Sequence, residues 1–249
     1  MDSFLILKLA GPLQAWGGHT FEDFRPSHDF PTRSGLLGLL GACLGVRRDD
    51  RAGLLGLAQS LRFAVRADRR TLADRWHPAA ELQRLGSERY AKLHGKPLSA
   101  QRFTDFHTVL DARTVGGGVR DNPVVSRREY LADAVFTVAV GLLPQASIAL
   151  DALADAVRRP VFTPVLGRRA CPLARPLFET IVQAVSLTAA LDAIVPHTGL
   201  IHTEEADADG LPQLRVRDVP VVVRPRQFTT REVYVDARVR GGNDALEPD

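Results

Sequence analysis

Lysine is nearly absent from this chain of 249 residues: among 32 basic side chains only Lys8, Lys92 and Lys96 are lysines. The rest are arginines, whose planar forks match phosphates and stack on bases, although a GC-rich genome yields the same bias. Against 29 acidic residues the formal net charge is only +3, which permits a polyanionic partner without requiring one. Cysteine is scarcer still. Cys43 and Cys171 lie far apart with no CxxC spacing, which points to a reducing compartment and away from a zinc site. The scattered histidines form no HExxH or HxH pair, so neither a metal nor another cofactor is expected. No apolar run reaches the roughly 18 residues of a membrane span. The opening MDSFLILKLAGP also lacks a signal peptide's basic n-region and long apolar core, so a cytoplasmic protein without membrane contact is expected. Missing too are GxxxxGK[ST], GxGxxG and GxSxG, which sets aside a Walker A loop, a dinucleotide fold and a hydrolase elbow.

What is present reads as a mixed chain. FLILKLA, Phe4 to Ala10, has the length and continuous apolarity of a buried strand. GPLQAWGG breaks it, with Trp16 expected to plug the core. FPTRSGLLGLLGACLG reads as a helix from near Ser34 to near Gly45, burdened by glycines at 35, 38, 41 and 45 along one face. Each internal glycine costs an exposed helix about 1 kcal/mol relative to alanine, so close packing on a sheet is the expected compensation. Ser34 is the expected N-cap. With Arg33, the free amides and the helix dipole, it makes a candidate anion site. Leu54–Leu61 suggests a second short helix. RFAVRA predicts a strand with Phe63 and Val65 inward and Arg62, Ala64 and Arg66 outward. Ala134–Leu143 is a buried strand, and Ser147–Arg159 a helix with Ser147 as N-cap and a stripe of Leu150, Leu153, Ala154 and Val157. FETIVQAV fits strand or helix, LTAALDAIV a helix, and VPVVV and EVYVDARV strands.

Between Asp68 and about Arg128 the chain is charged, with DFHTVL and VVSRREY expected to pair as an arm. Arg113, Arg120, Arg127 and Arg128 interleave there with Tyr90, Phe103, Phe106 and Tyr130, as single-stranded nucleic acid demands: phosphate partners plus stacking platforms. A solvated loop is the other reading. His107, two residues after Asp105, fits either a general base for RNA cleavage or an ordinary hydrogen-bonded strand neighbour. Arg168-Arg169 after Gly167 fits a phosphate-cradling turn or a surface pair. Taken in order, the elements give an α+β class: a ferredoxin-like (RRM-like) βαββαβ domain over 1–175 with an inserted β-hairpin thumb at about 74–130. A smaller strand-rich C-terminal subdomain over 176–240 and a disordered tail over 241–249 complete the expectation.

Six motifs go further: AGPLQAWG (10–17), FPTRSGLLGLLGACLG (30–45), FHTVL (106–110), REYL.DA.FTVA (128–139), TPVLGRRACPL (163–173) and PRQF..RE.YV (225–235). In this order they resemble the Cas-five family of the type I-E CRISPR surveillance complex, Cascade. The resemblance implies a non-catalytic subunit for antiviral defence that holds the 5′ handle of the CRISPR RNA (crRNA) and caps the backbone filament. Its implied neighbours are the backbone protein CasC and the large subunit CasA, in a complex that also holds CasB and CasE and lies close to target DNA. The implied RNA-binding residues are Arg25; Arg33 and Ser34 in PTRSG; His107, Thr108, Val109 and Arg113 at the thumb's base; Arg128 on its return strand; and Arg168 and Arg169 in LGRR. No catalytic residue is implied. The alternative is a metal-independent endoribonuclease that processes CRISPR repeat RNA, as type I-C relatives do, with His107 or Tyr130 as base. The stretch from about Asp74 to Arg102 is longer and more charged than the family leads one to expect.

Overall fold

A computed structural model of the chain describes every residue except 19, 21–22, 72–96, 99, 115, 207–208, 222–226 and 239–249. The opening apolar run becomes β1 (Asp2–Ala10), buried from Phe4 to Leu9. Four short strands follow: β2 (Leu13–Gln14), β3 (Trp16–Gly17), β4 (Phe24–Arg25) and β5 (Ser27–His28). Then come α1 (Arg33–Leu44), α2 (Arg51–Ser60), β6 (Leu61–Asp68), the small pair β7 (Arg70–Thr71) and β8 (Pro97–Leu98), and the long β9 (Gln101–Val109) and β10 (Val124–Ala132). β11 (Val135–Leu142), α3 (Leu150–Arg158), β12 (Phe178–Ala184), α4 (Leu187–Asp192), β13 (Gly199–Thr203), β14 (Gln213–Val221) and β15 (Gln227–Arg238) complete the order.

Seven strands form one sheet in the order β12-β1-β11-β6-β13-β15-β14, antiparallel throughout. The molecule is therefore a mixed α/β structure dominated by antiparallel sheet. The boundary expected near residue 175 falls just ahead of β12, which pairs with β1, while β13 to β15 continue the sheet from β6. The described part of the expected thumb is the β9–β10 hairpin; most of the long charged stretch before it, with Tyr90, lies outside the described residues, as does the expected tail.

Both faces of the sheet are covered, which is why β1 is apolar at successive rather than alternate positions. Leu5, Leu7 and Leu9 face a large core with Leu36, Leu40, Phe63, Val138 and Leu153, beneath α1 and α3. Phe4 and Ile6 face a smaller one with Ala64, Ala139, Leu187, Leu191 and Ile201, beneath α4. This second layer corrects the reading of RFAVRA. Ala64 and Arg66, expected outward, are buried, Arg66 at 1% exposure. Its guanidinium donates to the Leu191 and Ile194 carbonyls (2.7 and 2.9 Å) and pairs with Asp68 (2.8 Å), which also takes Lys8 (2.8 Å). Alternation signals an outward face only where that face meets water. Here α4 closes it, and the buried charges survive because they are paired and hydrogen-bonded.

α1 ends as expected at Gly45, in the left-handed conformation (φ 77°). Its N-cap lies two residues earlier than expected. Thr32, not Ser34, is the N-cap, its Oγ1 accepting from the Gly35 amide at 3.3 Å. The glycines do not bring the helix onto the sheet either. Leu36, Leu37, Leu39, Leu40 and Cys43 make the buried face, and a side chain at Gly38 would meet open space. Of the glycines inside the helix, Gly35 is the one that is sterically required, since a Cβ there would stand 2.8 Å from the indole of Trp16. Trp16 is the expected core plug, fully buried, its Nε1–H donating to Gln14 Oε1 at 3.1 Å. α3 buries Leu153, Ala154 and Val157 but is capped by Ala149 with no side-chain bond. Ser147 instead donates its amide to Ser60 Oγ (2.9 Å), tying the loop to the end of α2.

Candidate nucleic-acid interface

The arm forms as the sequence suggests. β9 and β10 pair antiparallel from Gln101↔Ala132 to Val109↔Val124. β2 pairs with Leu131–Ala132 and β4 with Arg127–Arg128, so the end beyond Val109 and Val124 projects. Its tip holds Gly116–Gly118 and an Arg113↔Val119 bridge. Phe103, Phe106, Val109, Leu110, Val119 and Val125 are all exposed, far more apolar surface than an isolated ribbon needs for its own stability. Arg113 and Arg120 are exposed, and neither forms an ion pair among the described residues. The resemblance put His107, Thr108, Val109 and Arg113 at the thumb's base. The register puts the first three in its outer part and Arg113 in the tip, because the root is Gln101–Arg102 against Leu131–Ala132.

His107 and Asp105 share a face, and Nε2 of His107 lies 3.4 Å from Asp105 Oδ2 and 2.9 Å from the Tyr130 hydroxyl. The buried Tyr130 ring stacks on Phe103 (5.6 Å between centroids), and the Arg168 guanidinium lies over it at 4.8 Å.

At the arm's root is a cleft of about 340 Å³. Parallel pairing of β4 with β10 sets Arg25 and Arg128 side by side. Pairing of β3 with β5 brings the Gly17–Gly18 backbone against Pro26, whose carbonyl accepts from Gly18 at 3.1 Å. The LGRR turn closes the remaining side. Gly167 (φ 88°) is indispensable there, because a Cβ would run into the Ala15 carbonyl. Arg25, Arg128 and Arg168 line the cleft together with glycines, and among the described residues no carboxylate lines it. Arg128 Nε donates to Ser126 Oγ (3.1 Å), and Arg128 forms no ion pair among the described residues. Arg169 is exposed beside the cleft's LGRR wall. Bare backbone flanked by guanidinium groups is suited to an anionic chain.

The helix mouth differs from expectation. Arg33 is 8% exposed, and its guanidinium grips both Glu204 oxygens (2.6 Å each) and the Ala58 and Leu61 carbonyls (2.7 and 2.9 Å). Its backbone N–H donates to Asp218 Oδ2 at 2.6 Å, and Arg231 neutralises Asp218 in turn (2.7 Å). Ser34, half-buried, has its hydroxyl 3.5 Å from Thr32 Oγ1. The anion predicted at this helix mouth is present, but it is the protein's own carboxylate, delivered by β14. Arg33 is a structural ion-pair residue, not an open phosphate contact.

Sequence reasoning passed over two groups that shape the site. Glu129 accepts from the Ser27 amide (3.0 Å) and Arg102 (2.9 Å), anchoring the arm to the loop ahead of α1; its place inside REYL was the available signal. Gly17–Gly18 was read only as a strand break. Among the described residues no trio of histidine, cysteine, aspartate or glutamate is placed for a metal ion, and no helix is long and apolar enough to cross a membrane.

Fold and site thus define a class: an antiparallel-sheet protein carrying a hairpin arm beside an arginine-lined cleft. The chain belongs to the family described as CRISPR-associated protein (Cas_Cas5), whose profile matches residues 4–234. It is 44% identical to the CRISPR system Cascade subunit CasD of Escherichia coli (strain K12) over 248 residues, 99% of this chain and 100% of that protein. Among solved structures it resembles a chain of a CRISPR RNA-guided surveillance complex, with 30% identity, a TM-score of 0.64 and coverage of 94% of this chain and 89% of the other. It also resembles a Cas protein crystal structure at 25% identity and a TM-score of 0.58, with 94% of each chain covered.

Proposed function

We propose that this chain is a non-catalytic subunit of a Cascade-type, crRNA-guided surveillance complex. Its cleft and arm hold the 5′ handle of the crRNA, and the subunit caps one end of the backbone filament. The observation that carries this reading is the arginine cleft: Arg25 and Arg128 sit adjacent in register, with no carboxylate among the described residues of the lining, at the root of an arm whose apolar and arginine side chains face outward. The strand order β12-β1-β11-β6, with α1 between β1 and β6 and α3 between β11 and β12, supports a ferredoxin-like core, and β13 to β15 serve as its C-terminal extension. Arg25, Arg128 and Arg169 meet the handle backbone, Thr108, Val109 and Arg113 act from the arm, and CasC and CasA are the neighbouring subunits, with CasB and CasE in the same assembly.

A second reading, cleavage of the repeat RNA, draws on the short contact between His107 and the Tyr130 hydroxyl. End-labelled repeat RNA, incubated in EDTA with excess purified chain and run on native and denaturing gels, separates the two. The expected outcome is intact, retarded RNA, with affinity lowered about tenfold in Arg25→Ala and in Arg128→Ala, the cost of one charge-assisted contact. A discrete shorter product that disappears in His107→Ala would replace the binding role with a nuclease.

A further inference from the structure

Arg168 is part of the LGRR motif and lines the cleft, yet two of its five guanidinium N–H groups and its flat face are committed within the protein. Nη1 donates to the Glu129 carbonyl (2.8 Å), Nη2 donates to the Arg25 carbonyl (2.9 Å), and the flat face lies on the Tyr130 ring. The two carbonyls belong to β10 and β4, so one side chain bridges the arm to the strand that carries Arg25. β4 is only two residues long and pairs parallel, the weaker arrangement. It also sets Arg25 directly beside Arg128, and like charges at paired positions push strands apart. The Arg127 amide on the Asp23 carbonyl (3.0 Å), the Arg127–Asp23 ion pair (3.2 Å) and the Ser27 amide on Glu129 (3.0 Å) also tie this pairing, and a hold from outside both strands would add to them. Arg168 is well founded to supply it: Gly167 packs on Ala15, the Ala15 amide donates to the Leu166 carbonyl (3.1 Å), and the turn is closed by Cys171 N–H to the Arg168 carbonyl (2.9 Å).

We propose that Arg168 is a positioning residue, a latch that keeps β4 on β10 and so fixes the arm's angle to the cleft and the alignment of Arg25 with Arg128. The functional half of this proposal rests on the RNA-holding reading above; the mechanical half does not. The side chain acts through two carbonyls and an aromatic face, so its charge alone cannot replace it. Lysine can neither span both acceptors nor lie flat on Tyr130.

Hydrogen–deuterium exchange on the free full-length chain, with handle RNA titrations at several salt concentrations, tests this in wild type, Arg168→Ala and Arg168→Lys. The latch predicts faster exchange confined to residues 23–28 and 124–132, with β1 and β11 still protected. It also predicts that affinity falls more than tenfold, that the log–log salt slope drops by more than the ~0.7 of one single-strand phosphate contact, and that Arg168→Lys resembles Arg168→Ala. Added methylguanidinium should restore binding to Arg168→Ala and leave wild type unaffected. Unchanged exchange with a slope loss near one contact, or a near-normal Arg168→Lys, would make Arg168 an ordinary phosphate contact and overturn the latch. Loss of protection across the whole sheet would overturn it too, in favour of a general folding role. Should wild type fail to bind the RNA, the RNA-holding reading falls while the exchange data still decide the latch.

Discussion

His202 shows how a single buried side chain sets a pH limit on the fold. Its ring stacks on Phe30 at 4.0 Å, and Nδ1 is buried with no hydrogen-bond partner among the described residues. Burial lowers its pKa from 6.5 to about 4, opposed only weakly by Asp29. The folded state thus holds His202 neutral where the unfolded chain takes up a proton. Its contribution is complete above pH 6.5 and is lost as pH falls toward 4. Between pH 7 and 5 this amounts to about 2 kcal/mol. Denaturant unfolding of wild type and His202→Phe at both values checks it. The phenylalanine variant should lose about that much less stability on acidification, and equal losses would show that His202 does not drive the decline. None of this was legible in the sequence, because a lone histidine carries no mark of what covers it. The same holds for the arginines. Arg33, Arg66 and Arg128 look alike in sequence, yet the first two are consumed by Glu204 and Asp68 while Arg128 faces the cleft. Their partners lie as far as 171 residues away.

At the scale of elements, local signals were read well. Gly45 stops α1, the Asp105 to Arg128 region folds back as a hairpin, and the apolar runs of β1 and β11 are buried strands. The misreadings share one cause, an unseen layer or partner: α4 over Arg66, Ser60 beside Ser147, Asp218 at the mouth of α1. The last of these reverses an expectation that can be measured. Arg33 joins α1 to Glu204, just past β13, and to the Ala58 and Leu61 carbonyls at the end of α2, so Arg33→Ala leaves two carbonyls without their donor, while Glu204 keeps Arg231 (3.2 Å) and the Phe63 amide (3.2 Å). The expected cost is about 1–3 kcal/mol of unfolding free energy, the range for buried acceptors that lose their donor, read by chemical denaturation, with RNA affinity per folded molecule unchanged. Normal stability with lost binding would restore the helix mouth as an RNA site.

For the whole molecule, motif order identified the family, while composition said little: a net charge of +3 is spread over a chain in which many arginines are neutralised internally. What distinguishes the surface is placement. Arg25 and Arg128 line the cleft, Arg169 borders it, and Arg113 and Arg120 stand on the arm's tip, so these five arginines mark a track from root to tip. A single strand laid along that track would release one set of counterions per neutralised phosphate. With all five engaged, log affinity should fall against log salt with a slope of roughly −3 to −4, at ~0.7 per contact. Because cleft and tip meet different nucleotides, shortening the RNA to the handle's first few bases should remove the tip's share alone. Arg113→Ala would then weaken binding of the full handle but not of the short one, whereas Arg128→Ala would weaken both. Filter binding across salt for the two RNAs measures this directly. A slope near −2 for the full handle, the share of Arg25, Arg128 and Arg169 at ~0.7 each, would mean that the cleft works without the arm, and the continuous track would have to be abandoned.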